Sequence, residues 1–170
     1  MRRLLAAVAV AALAACASTG PPSAARPSAL VLVEVSGGSP DAEAFVARFL
    51  SVLSDAGSRS VTDARLSGAR LDVLRDPGSS EAARFRSVHP GDGYLGFDLP
   101  PCFPAGRAAG IKCTATVTLL SPEGGLLVKF ETSASNATGY TADAATTAEA
   151  EASRAAGEKA ARKLLSALSR

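Results

Sequence analysis

Apolar and polar positions follow three rhythms along this chain, and each rhythm predicts a different kind of element. Ala29 to Val35 is an almost unbroken run of Leu and Val. Such continuity is wrong for a strand with one wet face and predicts a central, well-covered strand. After Ser36-Gly37-Gly38, the residues Phe45, Val46, Phe49, Leu50, Leu53 and Ala56 recur three and four apart, which predicts a helix with one buried face. Ser39 is placed to cap it, Pro40 suits its first turn, Asp41 and Glu43 complement its positive end, and Gly57 stops it. Ser60 to Arg65 predicts a short second strand through Val61 and Ala64. Beyond the Asp76-Pro77-Gly78 turn, Ser79 or Ser80 caps a short helix through Phe85 to about Val88.

The second half of the chain is simpler. Pro90-Gly91-Asp92-Gly93 leads into a third strand, Tyr94 to Leu99, which Pro100-Pro101 ends. Strict alternation through Ile111, Cys113, Ala115, Val117 and Leu119 is answered by Leu127, Val128 and Phe130 across Pro122-Glu123-Gly124-Gly125, the pattern of a hairpin. Thr146 and Glu149 have capping-box spacing. They predict the start of a last helix with Ala152, Ala156, Ala160, Ala161, Leu164, Leu165 and Leu168 on one side, where Gly157 permits close approach to the sheet. Together these elements predict an α+β fold: a two-layer sandwich, with a small mixed sheet of four or five strands, two main helices on one face and one extra short helix.

Ahead of this domain the pattern changes again. Met1-Arg2-Arg3 precedes an apolar run that closes on Leu13-Ala14-Ala15-Cys16, and Ser18-Thr19-Gly20-Pro21-Pro22 follows. The run is shorter than the roughly 20 residues a spanning helix needs. Charged, apolar and small-residue regions in that order read as a signal peptide over residues 1–15. The tetrapeptide resembles the lipobox of bacterial lipoproteins. That resemblance implies that the Cys16 sulfur takes a diacylglycerol by a thioether, and that its freed amine is acylated, typically by palmitate. Two or three chains there would make release negligible, since each buried methylene contributes roughly 0.8 kcal/mol. The mature protein is then anchored to a membrane through acyl chains on Cys16. Residues 16–28 form the lipidated start and a Pro-, Ser- and Ala-rich tether, which reaches roughly 35 Å when stretched. The single periplasmic domain occupies residues 29–169. Ala17 is not the Asp of inner-membrane retention, so by analogy the location is the outer membrane.

Charge and cysteines narrow the classes. Arg2 and Arg3 account for the whole formal charge of +2, leaving 16 basic and 16 acidic side chains after residue 15. With no Trp and two Tyr, no basic and aromatic stripe remains for nucleic acid. Cys102 and Cys113 are an even pair, and in the oxidising compartment the lipobox implies they are expected to form a disulfide. Closing that loop contributes roughly 3 kcal/mol in the chain-entropy model. The competing zinc site would need four ligands. The chain holds one histidine, and the Cys spacing is far from C-x-x-C.

Candidate chemistry is sparse, and neither a catalytic, a cofactor-binding nor a metal-binding residue is assigned. His89, next to Pro90, reads as an exposed turn residue. No G-x-S-x-G elbow is present. Ser36-Gly37-Gly38-Ser39 lies between strand and helix, where free N–H groups could hold an anion, but no phosphate-loop lysine follows. It reads as a tight connection. Asp92, Asp98 and Asp143 lack calcium-loop spacing and read as solvated. Asn136-Ala137-Thr138 fits a glycosylation sequon that a bacterial lipoprotein is not expected to use.

The order of elements from Ala29 to Ser169 resembles the periplasmic α/β module of the curli-secretion lipoprotein, the Tol-system propeller protein's N-terminal domain and the lipoprotein activator of penicillin-binding proteins. The local echoes are Ala56-Gly57 before Val61-Thr62-Asp63, Gly91-Asp92-Gly93-Tyr94-Leu95-Gly96, and the Thr-x-x-Glu start of an alanine-rich final helix. A second resemblance is to the lipopolysaccharide-assembly lipoprotein, which implies a large barrel as partner. The expectation is a non-enzymatic adaptor or assembly factor for an envelope complex. Its partner would be an envelope protein, reached through a strand edge or the loop 103–109. The opposing class is a small-ligand lipoprotein that binds or hydrolyses glycans or lipids. It would require a deep pocket gathering His89 with two or more of the acids. Oligomeric state is not legible.

Overall fold

The computed structural model describes residues 27–57, 59–105, 110–136 and 142–169. Strands β1 (Ala29–Ser36) and β2 (Ser60–Asp63) flank helix α1 (Ala42–Asp55), and 3₁₀ turns at Arg65–Ser67 and Val73–Arg75 lead to helix α2 (Ser80–Val88). Then come β3 (Gly93–Asp98), the two-residue β4 (Phe103–Pro104), β5 (Ile111–Leu120), β6 (Leu126–Asn136) and helix α3 (Ala142–Leu168). The sheet runs β2-β1-β3-β5, with β6 on the outer side of β5. β1 is parallel to both β2 and β3, and the remaining pairs are antiparallel. The fold is therefore α+β with a mixed open sheet, as the element pattern predicts. β3 pairs with Thr116–Leu120 of β5, while β4 pairs with Ile111 and Lys112.

The unbroken run in β1 has a direct physical cause. Leu30 and Leu32 enter the core beneath α1 and α3, together with Leu95, Phe97, Ala115, Val117 and Leu119. Val31 and Val33 enter a second core on the opposite face, with Ala64, Leu71, Leu74, Ala82, Phe85, Tyr94 and Leu120. Successive strand residues point to opposite faces, so a strand covered on both sides must be apolar at every position. In the first core Phe97 packs edge-on to both Phe45 and Phe49, at centroid distances of 5.3 and 4.7 Å. Within β5 the cover ends partway: Lys112, Thr114 and Thr116 are half-buried between buried neighbours, whereas Val117 through Leu120 are all buried.

Several boundaries differ from the sequence expectation. Ser39 does not cap α1: Asp41 holds that position, and the Ser39 hydroxyl accepts from the Asp41 N–H instead. The Ser39 N–H is drawn to the Leu99 carbonyl (3.0 Å), which delays the helix. Ser79 does cap α2, accepting from the Ala82 N–H. Thr146 and Glu149 open no helix, because α3 already begins at Ala142. Alanine is the strongest helix former, and the Ala-rich segment ahead of Thr146 extends the helix upstream. Gly157 permits a close approach to α1 rather than to the sheet: a Cβ there would lie 2.5 Å from the Phe45 carbonyl oxygen. The part of the loop 103–109 that is described is not irregular, since β4 adds it to the sheet.

Candidate functional site

The start of the domain is fixed by a carboxylate. Asp92 Oδ2 accepts hydrogen bonds from the Ser28 N–H (3.1 Å), the Ser28 hydroxyl (2.8 Å) and the Ala29 N–H (3.0 Å). These bonds, the Ala29 N–H first, hold its carboxyl below the ordinary carboxylate range. Asp92 is thus a latch rather than merely solvated, because the turn entering β3 places it beside the first residues of parallel β1. Arg59 Nε donates to the carbonyl of buried Pro27 (3.1 Å). The signal-peptide segment 1–15, Cys16 and tether residues 17–26 lie outside the described residues. Pro27 and Ser28, at the end of the segment read as a tether, are held against the domain.

Cys102 and Cys113 form a disulfide, with Cα atoms 4.4 Å apart. It fastens the segment before β4 to the start of β5, beside a small cluster of Ile111, Ala148 and Ala152. The rest of that loop, residues 106–109, lies outside the described residues. Phe103 is exposed, with the Lys112 ammonium 5.7 Å from its ring centroid.

The outer edge of the sheet, β6, is partly closed by α3. Lys159 Nζ donates to the Ser133 carbonyl (3.1 Å) and Lys163 Nζ to the Glu131 carbonyl (3.0 Å). Lys163 also lies 4.7 Å from the Phe130 ring centroid. Lysines four apart on a helix share one face, so their pairing is legible, but their carbonyl partners on the preceding strand are not. Nearer the hairpin turn, a groove of about 440 Å³ runs between β6 and the end of α3, lined by Leu127, Val128, Lys129, Lys163, Ser166 and Ala167.

His89 lines a separate open hollow of about 380 Å³ with Ser67, Ala69, Glu81, Arg84, Phe85 and Val88. Its ring lies 4.8 Å from that of Phe85, and its carbonyl accepts from the buried Tyr94 hydroxyl (3.2 Å). Burial raises the Tyr94 hydroxyl above its ordinary value. Among the acids weighed in the sequence, Asp92 is engaged at Ser28 and Asp98 stands at the far end of β3; the Asp143 side chain is outside the described residues. The hollow brings His89 to one carboxylate, Glu81, and no hydrogen bond joins Ser67, Glu81 and His89 among the described residues. The Ser67 hydroxyl accepts from the Ala69 N–H (3.3 Å). The Ser36-Gly37-Gly38-Ser39 segment is a tight connection packed on Leu99: Gly37 has φ +94°, and a Cβ there would lie 2.3 Å from the Leu99 carbonyl carbon. Among the described residues, no group of three His, Cys, Asp or Glu could hold a metal ion, and no helix is long and apolar enough to cross a membrane.

The architecture defines an α+β open-sheet domain with two long helices on one face, and one solved structure shares that fold. The hypothetical protein CT253 of Chlamydia trachomatis is similar with a TM-score of 0.60 at 7% identity, over 83% of this chain and 97% of that one. At such identity the likeness shows the fold alone. The lipoprotein GNA1162 of Neisseria meningitidis is matched with a TM-score of 0.45 at 15% identity, covering 71% of this chain and 92% of that one. The PelC dodecamer of Paraburkholderia phytofirmans is matched at 0.44 and 13%, covering 83% and 86%. No family model and no curated protein matches the sequence.

Proposed function

We propose that this protein is a lipid-anchored envelope lipoprotein whose α+β domain serves as a non-enzymatic adaptor or assembly factor, held at the outer membrane with the domain in the periplasm. The observation that carries the reading is Leu13-Ala14-Ala15-Cys16 behind a charged and apolar leader. Two features support it. The Cys102–Cys113 disulfide suits an oxidising envelope compartment. The domain begins at a fixed point, Pro27 to Ala29, so an anchor on Cys16 would hold it through a short tether. Acylation would supply the location, and the domain's exposed surfaces would supply the partner contact.

Metabolic labelling with an alkyne analogue of palmitate tests the anchor. The wild-type chain is expected to carry label and to float with membranes, and Cys16→Ser to lose both. Wild-type protein that stays unlabelled overturns the anchor. For the adaptor role, crosslinking in intact envelopes from the anchored domain should enrich a specific envelope protein over a control lipoprotein carrying an unrelated domain. Equal recovery from both counts against it.

A further inference from the structure

The chain enters the domain at one end of the sheet, and that end has an unusual surface. Among the described residues, two of the five large hydrophobic side chains most open to solvent, Leu126 (57% exposed) and Leu127 (44%), are consecutive residues at the start of β6. Leu126 pairs with Leu120 and Val128 with Leu119, so Leu127 is the extra residue of a β-bulge, and both leucines are left open beside the hairpin turn. Leu126 pairs with Leu120, Leu120 with Tyr94, and Tyr94 with Val31, two residues beyond the latched start of β1. Three strand spacings, about 14 Å, therefore separate this leucine pair from the tether exit. Val88, the last residue of α2 and also exposed, precedes the turn whose Gly91 lies against the Ala29 carbonyl. Lys129 and Lys163 stand beside Leu127 in the groove, and no acid lines it.

We infer that this end of the domain, centred on Leu126 and Leu127 with Lys129 and Lys163 behind them, rests on the anionic bilayer surface to which the chain is anchored. The inference rests on the lipid-anchor reading. Ten residues separate Cys16 from Pro27, so the exit point stands no more than roughly 35 Å from the bilayer and can come much closer. Exposed leucines then enter the headgroup and acyl boundary, while exposed Lys129 reaches the phosphates and Lys163, bonded to the Glu131 carbonyl, adds its positive charge behind it. The opposite end, with Phe103, faces away and is left for protein partners.

The chain lacks tryptophan, so one substitution creates a single reporter at either end. Leu127→Trp reports on the tether end. Phe103→Trp reports on the other, because Phe103 pairs with Lys112, about 27 Å along β5 from Leu120. Each full-length acylated variant is placed in vesicles of phosphatidylethanolamine and phosphatidylglycerol, with and without a brominated phosphatidylcholine. Bromine is expected to reduce Leu127→Trp emission at least twofold and to leave Phe103→Trp unchanged. Leu126→Trp serves if Leu127→Trp does not unfold cooperatively in urea. Protein that floats with the vesicles but gives equal or no quenching at the two ends overturns the docking while the anchor stands. Wild-type protein that fails to float overturns the anchor reading itself, and the docking with it.

Discussion

The two halves of the sheet solve the problem of burial differently. β1 and β3 have apolar cover on both faces, and their middle positions are buried without exception: Leu30 through Val33, and Gly93 through Phe97. In β5 and β6, α3 covers one face, while the other carries Lys112, Thr114, Thr116, Lys129 and Glu131 toward solvent. The strand between them records the boundary. β5 alternates as far as Thr116 and is then continuously buried where the second core reaches it through Leu120. A change of hydrophobic rhythm within one strand thus marks where a layer of cover begins.

The sharpest way to break this comparison is to place the same charge in both halves. Val33→Asp puts a carboxylate among the apolar side chains of the second core, and should cost about 4 kcal/mol. Thr114→Asp, also on a strand but on the uncovered face, should cost about 1 kcal/mol through strand propensity. Urea unfolding followed by far-UV circular dichroism measures both. Similar losses would show that the two halves are not differently covered.

That asymmetry also explains which parts of the fold were legible. The run in β1, the helical period of α1 and the alternation of β5 are local patterns, and each maps to one buried face or two. The second core was not legible. Leu71 and Leu74 lie in or beside 3₁₀ turns too short to show a period, and each is buried only because the chain crosses back over the sheet. Capping failed where tertiary contacts competed, as at Ser39, and where alanine propensity ran past the cap motif, as at Thr146. Of the candidate site, the Cys102–Cys113 pair was readable from cysteine count and compartment. The Asp92 latch was not: its partners are 63 and 64 residues away, brought together by parallel pairing of β1 and β3.

A second expected effect falls on the singly covered half. Around the start of β5 the apolar cluster is small, made of Ile111, Cys113, Ala148 and Ala152, and the disulfide supplements it. Replacing both Cys102 and Cys113 with Ser should cost about 3 kcal/mol. Hydrogen exchange should then rise first at β4, the start of β5 and the start of α3, leaving β1 and β3 protected. Uniform loss of protection would mean that the two halves unfold as one unit.

A smaller effect separates the halves by pH. The folded state holds the Asp92 carboxyl below its unfolded value near 3.8, so its contribution is complete above that value and is lost as pH falls through the lower folded value. Asp63, hydrogen-bonded to Arg65, shifts in the same direction. Asp92→Asn should therefore remove only part of the acid dependence of stability. The difference between wild type and variant should stay below about 1 kcal/mol at pH 6, since the site is exposed and screened, and narrow toward pH 2. A gap independent of pH would remove the latch from the explanation.

The smallest effect on stability concerns the open edge, and its main consequence is not stability at all. β1 and β3 are interior strands with neighbours on both sides, whereas β6 ends the sheet and offers unpaired backbone groups to any passing strand. Lys159 and Lys163 occupy its Ser133 and Glu131 carbonyls from α3. Exposed bonds of this kind contribute little, so Lys159→Ala with Lys163→Ala should lower stability by only about 0.5 to 1 kcal/mol. The freed edge should nevertheless pair with a second copy. Sedimentation velocity on the unacylated Cys16→Ser chain is expected to show concentration-dependent dimers in the double lysine variant and fewer in its parent. If both sediment alike, the lysines are not what keeps this edge from pairing, and the charge of Lys129 and Glu131 on the strand itself becomes the better account.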